Sequence, residues 1–85
     1  MVTILAKTTV SGVDFLAISE GSKAFIHSYM VYDNASTCLL VGLQCDSEQQ
    51  AVDSIEAIHT GNSSLWEGQQ LFVEMSISNR DVLAA

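Results

Sequence analysis

The feature that most limits the fold of this chain is a change in the spacing of its apolar residues near Ser47. Before that point apolar and polar residues alternate, as in strands with one buried face. After it the apolar residues recur with a period of about 3.6, as in an α-helix. A chain of 85 residues has room for one domain. We therefore expect residues 1–85 to form a single domain in which a sheet and a helix share one core.

The alternating half predicts four strands joined by short turns. Ser11-Gly12 and Gly21-Ser22 are two-residue gaps, and each contains a glycine that can take the positive φ of a tight hairpin. A run of turn-forming residues at 33–36 separates the last two strands. The predicted meander comprises residues 2–10, 13–19, 23–32 and 37–44. On the first strand Val2, Ile4, Ala6 and Val10 are expected to share one side.

The helical half begins with a capping box, Ser47-Glu48-Gln49-Gln50, in which the serine hydroxyl and the glutamine side chain accept from free amides. Gly61 is placed to end the helix in a left-handed conformation. The stripe predicted to face the sheet is Ala51, Val52, Ile55 and Ile58. The residues predicted to face solvent are Gln49, Asp53 and Glu56.

Residues 69–78 alternate again, with Leu71, Val73, Met75 and Ile77 on one side. We therefore predict a fifth strand after a polar loop at 60–68, and a short C-terminal turn that begins at Asn79. The expected fold is α+β, in the order β-β-β-β-α-β, with the helix packed on one face of an antiparallel sheet. If the helix is a crossover, the fifth strand pairs beside the first and gives the order 4-3-2-1-5.

The face of the sheet away from the helix is predicted to be partly apolar, where a solvated face would be polar. We expect it to carry Leu5, Leu40 and Phe72. The third strand adds either Ile26, Met30 and Tyr32 or Phe25, Tyr29 and Val31. Such a face favours a homodimer or another partner. The alternative is a sheet that curls over its own second face.

The negative charge is concentrated in one part of the chain. The net charge is −7, and residues 24–79 contain acids but no lysine or arginine. These acids are Asp33, Asp46, Glu48, Asp53, Glu56, Glu67 and Glu74. One interpretation is a solvated helix face with acids near its N-terminus. The other is a docking surface for a basic partner. Direct binding to nucleic acid is excluded and an acidic membrane surface is disfavoured, because this surface would repel phosphates.

The sequence contains no motif typical of catalysis, phosphate binding or metal binding. His27 and His59 are expected to have structural roles, and no cofactor is predicted. Cys38 and Cys45 lie on one predicted strand at an odd separation, which places them on opposite faces and argues against a disulfide.

Trp66 is the candidate recognition residue, because tryptophan is enriched at binding hot spots. The alternative is that Leu65 and Trp66 fold onto the edge of the core. The residues predicted to bind a partner are Asp46, Glu48, Asp53, Glu56, Trp66 and Glu67.

The leading hypothesis is a small acidic, non-enzymatic protein that acts by binding another protein. An inhibitor of a basic nucleic-acid-binding protein has this character, for example a phage or mobile-element protein of anti-CRISPR or immunity-like type. One alternative is a homo-oligomeric small-molecule-binding protein or small enzyme with a pocket near His27 and His59. Another is a structural or assembly subunit. Short apolar stretches and an N-terminus without the order of a signal peptide predict a cytoplasmic protein.

Overall fold

The computed structural model describes residues 2–32, 36–61 and 65–84. Residues 33–35 of the predicted turn, residues 62–64 of the predicted loop and Asp33 of the predicted acidic set lie outside these ranges. In the described ranges the chain forms four strands followed by two helices. They are β1 (Val2–Val10), β2 (Val13–Glu20), β3 (Lys23–Tyr32), β4 (Ser36–Cys45), α1 (Glu48–Thr60) and α2 (Glu67–Ala84).

The strands form an antiparallel sheet in the order β1-β2-β3-β4, so the predicted meander is confirmed. The first turn is tight, because Ser11 and Gly12 both adopt positive φ, at 53° and 76°. This combination belongs to the type I′ turn, whose twist matches that of the strands. Both helices pack on one face of the sheet, which we call the inner face; the other is the outer face. α1 covers β1, β2 and β3, and α2 covers β3 and β4.

The predicted fifth strand is wrong, and so is the order 4-3-2-1-5. Residues 69–78 lie within α2, which also replaces the predicted C-terminal turn. The alternation at 71–77 misled because the same segment carries a helical stripe: Phe72 and Ser76 are buried, and Val73 and Ile77 are half-buried. They form two pairs, 72/76 and 73/77, each separated by four residues, which places all four on one side of a helix. The fold order is therefore β-β-β-β-α-α.

A β-bulge in each edge strand changes which side chains share a face. In β1 the register shifts between Ile4 and Ala6, so Val2 and Ile4 lie on the outer face while Ala6 and Val10 lie on the inner face. The expectation that all four share one side is wrong for this reason. A bulge inserts one residue, and a one-residue shift exchanges the two faces beyond it.

The bulge in β4 also corrects the prediction for the cysteines. Pairing moves from Val41 opposite Ser28 to Leu39 opposite Tyr29, so Leu40 is the additional residue. Cys38 then pairs with Met30 and Cys45 with Ala24, and both partners are buried on the inner face. The two cysteines therefore share a face at distant positions of one strand, and both are free thiols.

The first helix forms as predicted. Ser47 is its N-cap, and its hydroxyl accepts from the Gln50 amide at 3.1 Å. The Gln50 side chain reaches back to the amide of Asp46, at 2.7 Å, one residue before the position that a capping box implies. Gly61 ends the helix at φ 67°, and its amide bonds to the carbonyl groups of Ala57 and Ile58. The inward stripe is Ala51, Ser54, Ile55 and Ile58, so the prediction is wrong for Val52, which is half-buried beside it.

The core lies between the inner face and the two helices. At its centre the rings of Phe15 in β2 and Phe72 in α2 meet edge to face, with centroids 5.8 Å apart. Beside them Ser76 Oγ lies 2.7 Å from Ser28 Oγ, which joins α2 to β3. Ser28 Oγ also accepts from the amide of Val41, at 3.1 Å, at the β4 bulge. The serine pair therefore satisfies a backbone group that the bulge leaves without a ladder partner.

Candidate functional site

The acids of the two helices are exposed on the same side of the sheet. We call the solvent side of α1 and α2, with the Asp46–Ser47 connection, the helix layer. Its charged residues are Asp46, Glu48, Asp53, Glu56, Glu67, Glu74, Asp81 and Arg80, a net charge of −6. Arg80 pairs with Asp81 at 3.3 Å and its guanidinium lies against the backbone of Gly12. The described part of the helix layer therefore offers its acids to solvent with little internal neutralisation.

A groove of about 380 Å³ lies in the helix layer between the N-terminal halves of α1 and α2. Of the six residues predicted to bind a partner, it brings together Asp53 and Trp66. The carboxylate of Asp53 accepts from the Gln49 amide group at 2.9 Å on the groove wall. Asp46, Glu48, Glu56 and Glu67 are exposed on the helix layer outside the groove. The predicted residues thus share one surface, and two of them share one depression.

Trp66 lies in the connection directly before α2, within the polar loop that the sequence predicted. Its carbonyl oxygen accepts from the amides of Gln69 and Gln70, and its own amide donates to Gln69 Oε1 at 3.0 Å. The indole ring rests on Gly68, where a Cβ atom would overlap the ring. The side chain stays 44% exposed. Trp66 is therefore fixed in place by the start of α2 while much of its ring faces solvent.

The floor of the groove is a closed set of polar contacts. The buried amide of Gln69 donates to Ser54 Oγ, and the Ser54 hydroxyl lies 2.7 Å from the carbonyl oxygen of Gln50. Across the described residues, every buried side-chain nitrogen or oxygen has a hydrogen-bond partner. A catalytic group needs a polar atom free to meet a substrate. The groove floor has the features of a structural support for the two helices.

The helix layer also exposes apolar side chains that the sequence did not indicate. Leu71 and Met75, one turn apart on the solvent side of α2, are 54% and 45% exposed, and Val82 continues the same side. The predicted strand had placed Leu71 and Met75 on one side with Val73 and Ile77. A helical reading of 69–82 separates the buried Phe72 and Ser76 from Leu71 and Met75, and would have found this patch.

The two histidines lie on opposite sides of the sheet. His59, at the end of α1, contacts Thr8 Oγ1 through Nδ1 at 2.8 Å on the inner side. His27 lies on the outer face, with Nδ1 3.2 Å from the Tyr29 hydroxyl oxygen. The fold therefore does not bring His27 and His59 into one pocket. Burial lowers the pKa of His27, although the nearby Glu20 carboxylate partly opposes this.

Neither α1 nor α2 covers the outer face, which is partly apolar, although Ile18 at its centre is only 6% exposed. It carries the predicted set Phe25, Tyr29 and Val31 on β3, with Leu16 and Ile18 on β2. Leu5, Leu40 and Phe72, also predicted there, pack in the inner core, because the first two sit at the bulges and the third is in α2. A shallow groove of about 400 Å³ crosses the outer face between Ile4 and Tyr29. The predicted second apolar face therefore exists, with a partly different composition.

The described residues form neither a metal site nor a reactive thiol site. None of those residues forms a group of three or more histidine, cysteine or acidic side chains positioned for a metal ion. Burial and the neighbouring Asp46 raise the pKa of the Cys45 thiol, which disfavours the reactive thiolate. Neither α1 nor α2, over its described length, is apolar enough to cross a membrane.

Comparison with known proteins gives no family for this chain. No family model, no curated protein and no solved structure matches it.

Proposed function

We propose that this chain is a non-catalytic binding protein whose helix layer docks on a basic surface of a partner protein. The observation that carries the proposal is the presence of two features on one surface. The helix layer holds a net charge of −6, and it also exposes Trp66, Leu71 and Met75. Charge of one sign accelerates association with a basic partner and selects against acidic ones. Exposed aromatic and apolar side chains supply the burial that makes a contact last.

Basic surfaces of this kind belong to nucleic-acid-binding proteins, which use lysine and arginine to contact phosphates. A protein that covers such a surface inhibits its owner. We propose inhibition of this type, as by a phage anti-CRISPR or an immunity-like protein, as the biological role. We also propose a cytoplasmic location, where the free thiols of Cys38 and Cys45 stay reduced.

The test uses a fluorescein-labelled helical peptide rich in arginine, with two leucines on one side, and follows its anisotropy at two salt concentrations. Asp53→Lys places a cation in the groove and is expected to weaken binding about tenfold. Glu20→Lys changes the net charge equally but lies at the edge of the outer face. It is expected to change the affinity less than about twofold, because screening acts over about 8 Å at physiological salt.

The apolar part is tested separately. Leu71→Ala is expected to weaken the peptide complex about fivefold, whereas Val31→Ala, on the outer face, leaves it unchanged. Trp66 is the single tryptophan of the chain, so a shift in its emission on binding locates the peptide in the groove. Equal weakening by Asp53→Lys and Glu20→Lys would show that only the net charge matters, and the proposed surface would be rejected.

A further inference from the structure

We propose that the outer face of the sheet is covered by a second copy of this chain, in a face-to-face homodimer. The face exposes large apolar side chains without any cover of its own: Ile4 and Val31 are each 61% exposed, and Val2 is 54% exposed. The two bulges turn Leu5 and Leu40 of the edge strands toward the core, so these residues do not cover the outer face. Antiparallel sheets with one wet face carry polar side chains there.

Charge identifies a second copy as the occupant. The charged residues of the outer face are Lys7, Asp14, Glu20 and Lys23, with no net charge. An acid and a base lie toward each end of β2: Lys7 is 3.9 Å from Asp14, and Glu20 lies opposite Lys23 in the register of β2 and β3. Two copies can therefore meet through the outer face without electrostatic repulsion. A contact between two helix layers would instead bring together two surfaces that each carry a net charge of −6.

The geometry of a face-to-face dimer also separates the acidic layers. Packed sheets lie about 10 Å apart, and each helix layer lies on the far side of its own sheet, so the two helix layers are about 30 Å apart. This exceeds the screening distance of about 8 Å at physiological salt. The dimer therefore buries apolar area without an electrostatic penalty between its two strongly charged surfaces.

The available area is sufficient for a reversible dimer. Four strands of eight to ten residues present a face of about 20 by 30 Å, so two faces bury about 1,200 Å² together. This is the lower limit for specific interfaces. The polar groups near the centre are already matched, since His27 Nδ1 lies 3.2 Å from the Tyr29 hydroxyl. We therefore expect a dimer of micromolar affinity that leaves both helix layers free.

The experiment is sedimentation velocity over a range of concentrations, with variants on the two sides of the molecule. The wild-type chain is expected to reach twice the mass of one chain at about 100 µM. Ile4→Lys and Val31→Lys, in different strands of the outer face, are each expected to raise the dissociation constant at least about tenfold, because each buries an unpaired charge in the interface. Leu71→Lys, with a similarly exposed parent residue on α2, is the matched control and should leave it within about twofold.

The alternative modes of assembly give different results. Pairing between the edges of two sheets would respond to Ile4→Lys at most and not to Val31→Lys, and would overturn the proposal. A wild-type chain that stays monomeric up to about 1 mM would overturn it as well. Far-ultraviolet circular dichroism of each variant verifies that the fold is intact. Loss of peptide binding with the dimer intact would reject the proposed function alone, so the two proposals fail separately.

Discussion

The two faces of the sheet differ in what covers them. Under the helices the central strands carry Phe15 and Ile26 beside smaller residues such as Ala17, all of them buried. On the bare side the same strands carry Phe25 and Tyr29, which remain partly exposed. Large apolar side chains on a bare face contribute little until something covers them. The difference indicates that the free chain is an incomplete packing unit.

The largest difference between the faces is expected from removing one phenylalanine on each side. Phe15→Ala empties the centre of the core beneath Phe72 and should lower the free energy of unfolding by about 3–5 kcal/mol. Phe25→Ala, on the outer face, should lower it by about 1 kcal/mol. Urea unfolding at low micromolar concentration measures both. Similar losses from the two variants would mean that the outer face is already packed in the single chain.

The buried serine pair of the inner face gives the next largest effect. Ser28→Ala leaves the Val41 amide at the bulge without its acceptor and should destabilise the chain by about 1–3 kcal/mol. Ser78→Ala, on the exposed side of α2, is the control and should change stability by less than about 0.5 kcal/mol. A double-mutant cycle with Ser76→Ala measures the coupling across the sheet and helix. Zero coupling would show that the 2.7 Å contact between the serines does not hold α2 in register.

Lowering the pH is expected to destabilise the folded chain through His27, which lies on the outer face. Its pKa is lowered in the folded chain, so the unfolded chain takes up the proton first, near the ordinary value of 6.5. The free energy of unfolding should therefore decrease as the pH falls through 6.5 toward the lower folded pKa, and this contribution is then constant. His27→Phe should remove this part of the decrease, and His59→Gln should retain it. Urea unfolding from pH 7.5 to pH 5 follows the effect. A wild-type curve parallel to that of His27→Phe would contradict it.

The smallest effect is expected at Gly42, opposite His27 on β4. A Cβ atom there would lie 3.2 Å from the imidazole ring, which is a tight contact. The outer face is open, so the ring can move by a few tenths of an ångström, and Gly42→Ala also lowers the entropy of the unfolded chain. We expect a change within about 0.5 kcal/mol of zero in thermal unfolding. A loss above about 2 kcal/mol would mean that the histidine is held as rigidly as a core residue.

The regular parts of the fold were predictable from sequence because they depend on local chemistry. Alternation with two-residue glycine turns defines the meander, and Ser47 with Gly61 defines α1. The structure of the segment at 69–78 was not predictable in this way. Its apolar residues fit both the strand period of two and the helix period of 3.6, so packing against the sheet decides which structure forms. The bulges at Leu5 and Leu40 have no signal in a single sequence, and they alone determine which face Val2 and Cys38 occupy.

The candidate site was predictable in part for the same reason. The acids were found because charge can be counted along a sequence. The sequence did not show that Leu71 and Met75 are exposed on the same surface as these acids, since that depends on α2 being a helix. The position of Trp66 over Gly68 was also missed. It is a contact between an indole ring and a helix backbone, and residue composition carries no information about such a contact.

The order of the elements has a consequence for synthesis. All four strands precede both helices in the chain, so the ribosome makes the complete sheet sequence before any of its cover. The segment from the end of β4 to the end of α2, about forty residues, takes about 2–8 s more to make at the usual rates of translation. During that interval the inner face is as bare as the outer one, and the nascent chain carries hardly any net charge to keep neighbouring chains apart. Chaperone capture of this intermediate, or its aggregation on crowded polysomes, would then limit the yield of the protein more strongly than the stability of its finished fold.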